Sequence, residues 1–521
     1  MPRNRTRVTF ADWTGGVNED DAPANLKPID LRVARNVYWR GRALSARNGS
    51  SRFQATAINS GAAGTGLFEL VRSQGGNRDI IAVVGDKVYK AAKSDPPTDI
   101  TGTAVVTAGQ NNQVVFAHFN DTAYMCNGVN TPWEWSGAGN CLLVGGSPPA
   151  FGTMISKWGR LFGAGHAAAS RTVRYSDLND AETWNVNNTV AAILGDAAGP
   201  MEGRDYINQL GHLGDSLFVG LQQSVGRIYY TGDATFGTPF RYTQLSDFGC
   251  EGRQSYVGVG YGGYWLSQRG VHFIQPSDML ISYDSSLVSG RRLRTSWDSL
   301  NKNRIKYTCG RFFRTAQGNQ VVVWPLTSGS GTIHDTLLLM DVTDGPGTER
   351  FAWWTGWDAN AMAVVQNAST LAEELLFATT LGFVWQGDTG TSDNGTAYLA
   401  EMATRWEDFG VPAVKKNFRD LYVSVKQSGD FSMTIETYFD YATTPSQRQV
   451  QSVAGVAQAK WGTFVWGTDL WPSLGFVTNY LPGVDDGEVL SFRIYTAAAD
   501  QPWSLYMLAP SVMASGEAKG T

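Results

Sequence analysis

Residues 160–185 read RLFGAGHAAASRTVRYSDLNDAETWN. A short apolar run, Leu161-Phe162, leads into small residues, and Thr172 to Ser176 then alternates apolar with polar. The polar stretch Asp177 to Glu182 closes on Trp184. Period-two alternation punctuated by Gly, Asn and Asp predicts a β-hairpin, here with a large aromatic packed behind its turn. Looser copies recur along the chain. Asp79–Asp86 with Val88-Tyr89, Val114–Phe119 with Ala123–Cys126, and Ile207–Leu213 with Leu217–Leu221 each place a Gly-Asp or Asn-Asp turn between two apolar strands. Tyr256–Tyr261 with Tyr264–Ser267 turns on Gly262-Gly263, Leu375–Thr379 with Phe383–Trp385 on Leu381-Gly382, and Gln320–Trp324 with Thr336–Met340 and Phe351–Trp354 makes a three-strand unit.

These units start roughly 35 to 65 residues apart, bracketing the 40–50 residue period of radial arrays of small sheets, in which each sheet shields its neighbour's edges. The composition agrees. Glycine is abundant at 59 residues, aromatics make up 12% and charged residues only 17% of a 521-residue chain, which favours many short strands over long helices. The fold expected is mainly β: a β-propeller-like array of six or seven small antiparallel sheets over residues 56–390. A C-terminal antiparallel β-sandwich-like domain over 391–521 follows, in which Leu421–Val425 and Phe431–Ile435 read as one hairpin. Two stacked sandwiches are the alternative. Residues 454–480, with Trp461, Trp466 and Trp471, read as a long loop and 514–521 as a frayed tail.

Residues 1–55 read as an N-terminal arm. Pro28 to Ala34 suggests a short helical stretch, and Val37–Trp39 a hairpin returning along Ala43–Arg47. The arm carries a dense basic patch, Arg32, Arg35, Arg40, Arg42, Arg47 and Arg52. A second basic stretch, Ser289 to Arg314, holds Arg291, Arg292, Arg294, Lys302, Arg304, Lys306, Arg311 and Arg314 against the single acid Asp298. Leu293, Trp297, Leu300 and Ile305 fall near helical spacing there, so an amphipathic helix inserted between blades is expected. The first reads either as a contact surface for a partner or as a solvated face paired with neighbouring acids; the second reads either as a face for phosphates or an acidic neighbouring subunit or as a solvated helix packed on the propeller rim.

Catalytic signals are weak. There is no GxSxG or HExxH pattern, and the histidines near predicted strands read as packing residues. Cys126, Cys141, Cys250 and Cys309 form no CxxC pair. Adjacent acids such as Glu373-Glu374 and Glu407-Asp408 read as solvated loop carboxylates rather than as a glycosidase pair. No metal or cofactor is expected, and no window of ~18 apolar residues marks a membrane span. The formal net charge of −5 argues against a general nucleic-acid-coating protein. The turn Tyr175 to Trp184 is similar to the Asp-box turn of sialidase-type propellers, one residue longer and without its central glycine; Ser176, Asp177 and Trp184 are therefore read as turn scaffold.

The N-terminal residues Gly15-Gly16-Val17-Asn18, Leu26-Lys27-Pro28, Arg35-Asn36-Val37 and Gly41-Arg-Ala-Leu44-Ser-Ala-Arg47-Asn48-Gly49 resemble the opening of the tail nozzle, or tail tubular protein B, group of short-tailed bacteriophages. The match covers about a tenth of the chain. It implies a structural virion protein without a reaction: a ring of identical subunits, usually six, in the virion tail, assembled in the host cytoplasm. Such a ring continues the tail channel below the portal and adaptor, holds fibres or spikes, and lets double-stranded DNA pass without specific binding. The alternatives are a carbohydrate-binding or glycan-hydrolysing β-propeller and another receptor-binding tail component.

Overall fold

The computed structural model describes residues 5–514 except 23–24, 74–75, 94, 167–170, 186, 191–204, 233–238, 277–282, 291, 368, 413, 427–429, 454–475 and 484. The seven expected units appear as seven antiparallel meanders arranged in a ring. Their innermost strands are Gly64–Val71, Val115–Phe119, Thr153–Lys157, Ile207–Leu213, Val257–Val259, Arg311–Arg314 and Ala361–Gln366. Each inner strand lies beside those of the neighbouring units, the last beside the first. Six units are separate small sheets. The meander beginning at Arg311 is instead the first part of a ten-stranded sheet.

Local chemistry explains the meanders. Asn120 and Asp121 both adopt positive φ (48° and 59°) between strands Val115–Phe119 and Thr122–Cys126, the geometry of a tight hairpin turn that Asn and Asp tolerate well. Alternate residues then point inward, so Met125 pairs with Trp133 and Ala123 with Trp135, all four buried. The 160–185 stretch supplies the centre of the third blade: Phe162 lies between Ile155 and Tyr175 on the flanking strands. The strand expected over Thr172–Ser176 forms ladder pairs only at Arg174–Tyr175.

Apolar layers between adjacent blades hold the ring. Phe162 and Tyr175 pack on Leu217, Val219 and Phe240 of the fourth blade, while Leu161, Phe151 and Trp184 pack on Val115 and Phe119 of the second. Burying each such side chain contributes about 1.5–3 kcal/mol. The four cysteines are free thiols in these layers, and burial pushes those of Cys126, Cys141 and Cys250 up to about 12.

The N-terminal residues do not form a free arm. Gly16–Val17 and Asp30–Arg35 are strands of the ten-stranded sheet, so the helix expected over Pro28–Ala34 is a strand. Val37–Arg40 and Ala43–Ala46 form the expected hairpin and join a seven-stranded sheet. Ser50–Arg52 pairs with Val384–Gly387 as the outer strand of the last blade. The physical reason is burial: Trp13, Val17, Leu31, Val37, Trp39 and Leu44 are each at most 1% exposed and belong to the largest core.

The C-terminal strands build the rest of both large sheets. Lys416–Lys426 pairs with Ser504–Ala514 and Phe476–Pro482, whereas Phe431–Phe439 pairs with Leu490–Thr496 and Gln447–Val453. The expected hairpin is thus a crossing between two sheets. Leu421, Val423 and Val425 on one strand and Phe431, Met433 and Ile435 on the other belong to one core, so both apolar faces are buried by placing the strands in opposed layers. Phe476–Pro482, part of the expected loop, is a strand; the three loop tryptophans and residues 515–521 lie outside the described residues.

The basic stretch is not one amphipathic helix. It has a single α turn, Arg294–Asp298, then a 3-10 segment, Lys302–Tyr307, then the inner strand Arg311–Arg314. The apolar spacing does mark burial, since Leu293, Trp297, Leu300 and Ile305 are all buried. The helix stops because Leu300 bridges to Ser328 and the Asn301 N–H donates to the Thr327 carbonyl at 2.8 Å.

Two histidines lie inside this framework. His272 Nε2 is 2.8 Å from Ser267 Oγ with its ring stacked on Phe248, and His334 Nδ1 is 3.0 Å from Thr327 Oγ1. Burial lowers both to about 4 from an ordinary 6.5. The unfolded chain therefore takes up these protons first as pH falls, and stability is lost from about pH 6.5 downward, by up to about 3 kcal/mol per histidine. Asp388, pushed up to about 6 chiefly by burial, acts oppositely, losing its contribution as pH rises through 6. His272→Gln should flatten part of the acid limb of a denaturation profile measured from pH 7 to pH 4; an unchanged limb would show that His272 is not held neutral.

Candidate functional site: the arginine seam and the closed channel

The residues singled out in the sequence meet at the seam between ring and sandwich. Arg47 is the most deeply enclosed, its side chain fully buried. It meets the Asp393 carboxylate with two N–H donors, at 2.6 and 3.0 Å, and donates from Nε to Asn36 Oδ1 at 2.9 Å. It also donates to the Asn48 and Thr355 carbonyls. Its guanidinium lies 3.9 Å from the ring centroid of Tyr398 and 4.8 Å from that of Trp357. Asp393 in turn accepts from Ser50 Oγ at 3.0 Å and Trp357 Nε1 at 2.9 Å. A planar, bidentate, ring-stacked geometry is what arginine offers and lysine does not.

Most of the other predicted contact residues are also engaged within the chain. Arg32 donates to the Thr404 carbonyl at 2.8 Å and Ser491 Oγ at 2.9 Å, over the Trp406 ring; burial lowers its pKa. Arg35 pairs with buried Glu401 at 3.1 Å, and Arg40 donates to the Tyr38 hydroxyl at 2.6 and 2.9 Å. Arg304 donates to Asn111 Oδ1 at 2.7 Å and stacks on Tyr307. Arg292 donates to the Gly15 carbonyl at 2.7 Å and lies 3.9 Å from Asp30. Arg291 lies outside the described residues. Arg42, 80% exposed and 3.7 Å from Asp12, and Arg294, 63% exposed and near Asp20 and Asp298, remain on the surface.

The second basic stretch is therefore held by the acidic stretch at the chain's own N-terminus. The Glu19 carboxylate accepts from Ser296 N–H and Oγ at 2.8 and 2.6 Å, and the Glu19 N–H donates to the Arg292 carbonyl. The glycines of the motif are fixed by the same packing. Gly16 has φ +69°, where a side chain would strain the backbone, and a Cβ on Gly49 would lie 1.9 Å from the Ser392 carbonyl oxygen.

The Asp-box-like turn is scaffold. Ser176 Oγ accepts from the Leu161 N–H at 3.0 Å, Asp177 accepts from Asn188 Nδ2 at 2.6 Å, and Trp184 Nε1 donates to the Ala181 carbonyl while its ring packs 5.0 Å from Phe151. Both acid pairs are occupied locally. Glu373 accepts from the Arg314 N–H, Glu374 from Asn367 Nδ2, Glu407 from Arg405, and Asp408 from the Gly410 N–H. Among the described residues no group of three His, Cys, Asp or Glu could hold a metal ion, and no helix is long and apolar enough to cross a membrane.

Sequence reading missed how the ring's central channel ends. The residues just before the inner strands gather at one end, and their amides tie blades together there. Gln113 Nε2 donates to the carbonyls of Asn360, at 2.8 Å, and Tyr307; Asn360 Nδ2 donates to those of Gly64 and Gln110, at 2.7 and 3.1 Å. Gln254 Nε2 donates to the Val114 carbonyl at 3.2 Å. Between this closure and the opposite mouth lies a cavity of about 600 Å³, with the parallel rings of Phe68 and Phe116 (5.1 Å apart) in its wall. A buried-type amide placed just ahead of an inner strand, as at Gln113, Gln254 and Asn360, is the recurring signal that marks it.

No known family pattern and no curated protein matches the sequence. Solved structures with a similar chain trace include PorZ, a surface component of the type-IX secretion system of Porphyromonas gingivalis (12% identity, TM-score 0.37, 71% of this chain). This chain spans 44% of that protein's length. BBS1N in complex with ARL6DN aligns at 7% identity over 66% of this chain and 97% of its own, with a TM-score of 0.38. The extracellular domain of a hybrid two-component system from B. thetaiotaomicron aligns at 9% identity over 64% of this chain and 51% of its own, with a TM-score of 0.28.

The geometry of the seam makes a direct prediction. Arg47→Met should destabilise the protein by about 3–5 kcal/mol, because it strands the buried Asp393 carboxylate. Arg47→Met combined with Asp393→Leu should recover part of that loss. Chemical denaturation of both variants is the check, and a single variant as stable as the parent would remove Arg47 from the seam's energetics.

Proposed function

We propose that the chain is a non-enzymatic structural subunit of a bacteriophage tail, the nozzle that extends the tail channel as a ring of identical copies, six as is usual in the group it resembles. One observation carries the reading. The residues that bear the N-terminal resemblance, among them Gly16, Asn36, Arg47 and Gly49, are the ones locked into the seam between ring and sandwich. The motif then records the internal joint of a rigid two-lobed building block.

In this reading DNA passes between subunits, since each subunit's own channel is closed at one end. An excess of acidic over basic residues lets a duplex slide, because a basic wall would bind its phosphates. Portal and adaptor proteins would dock above, and fibres or spikes at the side. Among the predicted contact residues that the structure describes, Arg42 and Arg294 are the ones most exposed toward an acidic neighbour. A second reading, a glycan-binding propeller, draws support from one crevice in the last blade, where Trp357, Phe377 and Trp385 form a stacked aromatic row beside Asp358.

Mass measurement of the purified protein, alone and mixed with its adaptor, tests the first reading. A closed ring is expected in at least the mixture; a monomer in both, together with cleavage of a polysaccharide, would contradict it. Arg42→Glu and Arg294→Glu should leave the melting temperature within a degree or two and weaken assembly, whereas Arg292→Glu should destabilise the fold itself. Full assembly by both surface variants would remove these arginines from the interface.

A further inference from the structure

At the closed end of the propeller channel two arginines face a cavity with no carboxylate partner among the described residues. Arg253 and Arg311 both line the 600 Å³ cavity. Arg311 donates to the Gly310 carbonyl at 2.7 Å and to Gln254 Oε1 at 2.9 Å, and Arg253 donates to the Asn127 carbonyl at 2.7 Å. These acceptors are neutral. Among the described residues neither guanidinium has a carboxylate partner. The one acidic residue in the cavity wall, Glu69, is already paired with Arg78 at 3.1 Å and accepts from the Gln366 N–H. Burial lowers the pKa of Arg311, opposed by the neighbouring Cys309 thiol.

Both arginines are half-buried, and a partly desolvated guanidinium without a counter-charge is favoured where an anion can meet it. Elsewhere at the seam Arg47 faces Asp393, and Arg493 faces Glu401 and Glu436. Arg253 and Arg311 differ in that their remaining N–H groups border open space. The rest of the wall fits a small anion carried on a larger body. The Phe68–Phe116 pair offers a flat apolar face, and His118 and His212 lie toward the mouth, both in strands whose N-terminal ends form the closure.

We propose that the closed end of the propeller channel is an anion-binding site in which Arg253 and Arg311 hold a phosphoryl or carboxylate group, with the body of the ligand lying against Phe68 and Phe116. The Gln254 side chain positions Arg311 and joins the site to the closure, so occupancy also tightens the ring. The site is independent of any role in a tail, because it rests on the channel's own charge balance.

Calorimetric titration of the full chain with inorganic phosphate and with acetate, against sodium chloride at matched ionic strength, tests it. Saturable binding of at least one anion at a single site is expected. Arg311→Gln and Arg253→Gln should each weaken it at least about tenfold, the loss expected for a charge-assisted hydrogen bond. Tighter phosphate assigns a phosphoryl group, and tighter acetate a carboxylate. Thermal melting gives a second readout: the anion should raise the parent's melting temperature and leave that of Arg253→Gln unmoved. Binding no stronger than chloride, or equal binding by parent and variants, would overturn the proposal and leave the arginines as closure elements only.

Discussion

A guanidinium sealed away from water and the carboxylate facing it, Arg47 and Asp393, hold the molecule's two lobes together. The pair unites the strand that closes the ring, through Ser50, with the sixth blade, through Thr355, and with the sandwich hairpin in which Asn36 and Arg47 lie side by side. A lone buried charge would be unfavourable by several kcal/mol, so this joint forms completely or not at all. The aromatic faces of Tyr398, Trp357 and Trp354 then exclude water from it.

Everything around the joint follows from one topological fact. The sixth blade does not end at its outer strand. Arg350–Thr355 lies beside Asp30–Arg35, and the ladder continues through Ala400–Thr404, Leu490–Thr496 and Phe431–Phe439 to Gln447–Val453. A blade that becomes a sandwich sheet removes an exposed edge and gives ring and sandwich a single core, from Trp324 and Trp354 to Val423 and Phe492. A body built this way couples its two lobes through one ladder and one core.

Much of this was legible in the residues. Turn pairs such as Asn120-Asp121 and Gly214-Asp215 mark the hairpins because few residues tolerate positive φ, and the alternation around Phe162 marks the inward faces. What the residues hid was partnership over long range. The arginines at 32, 35 and 47 look like a surface patch in one dimension, yet their partners stand more than 300 positions away at Thr404, Glu401 and Asp393. The Leu421 and Phe431 strands look like a hairpin because proximity in sequence favours it, and only the need to bury two apolar faces against each other sends them to different sheets. The stretch 289–314 carries helical spacing, but hydrogen bonds from Asn301 to a neighbouring strand end the helix after one turn. The closure of the channel was missed because Gln113, Gln254 and Asn360 look like ordinary loop residues until their shared place just ahead of an inner strand is seen.

The central claim is that ring and sandwich are one cooperative body locked at Arg47. Native-state hydrogen exchange measures this directly. The slowest amides of the sandwich, in Phe431–Phe439 and Leu490–Thr496, should open with the same free energy as the slowest amides of the blades, in Gln320–Leu326 and Ile207–Leu213, and Arg47→Met should lower both together. Sandwich amides that open at markedly lower free energy while the blades keep theirs would show two independent units, and the account would fail.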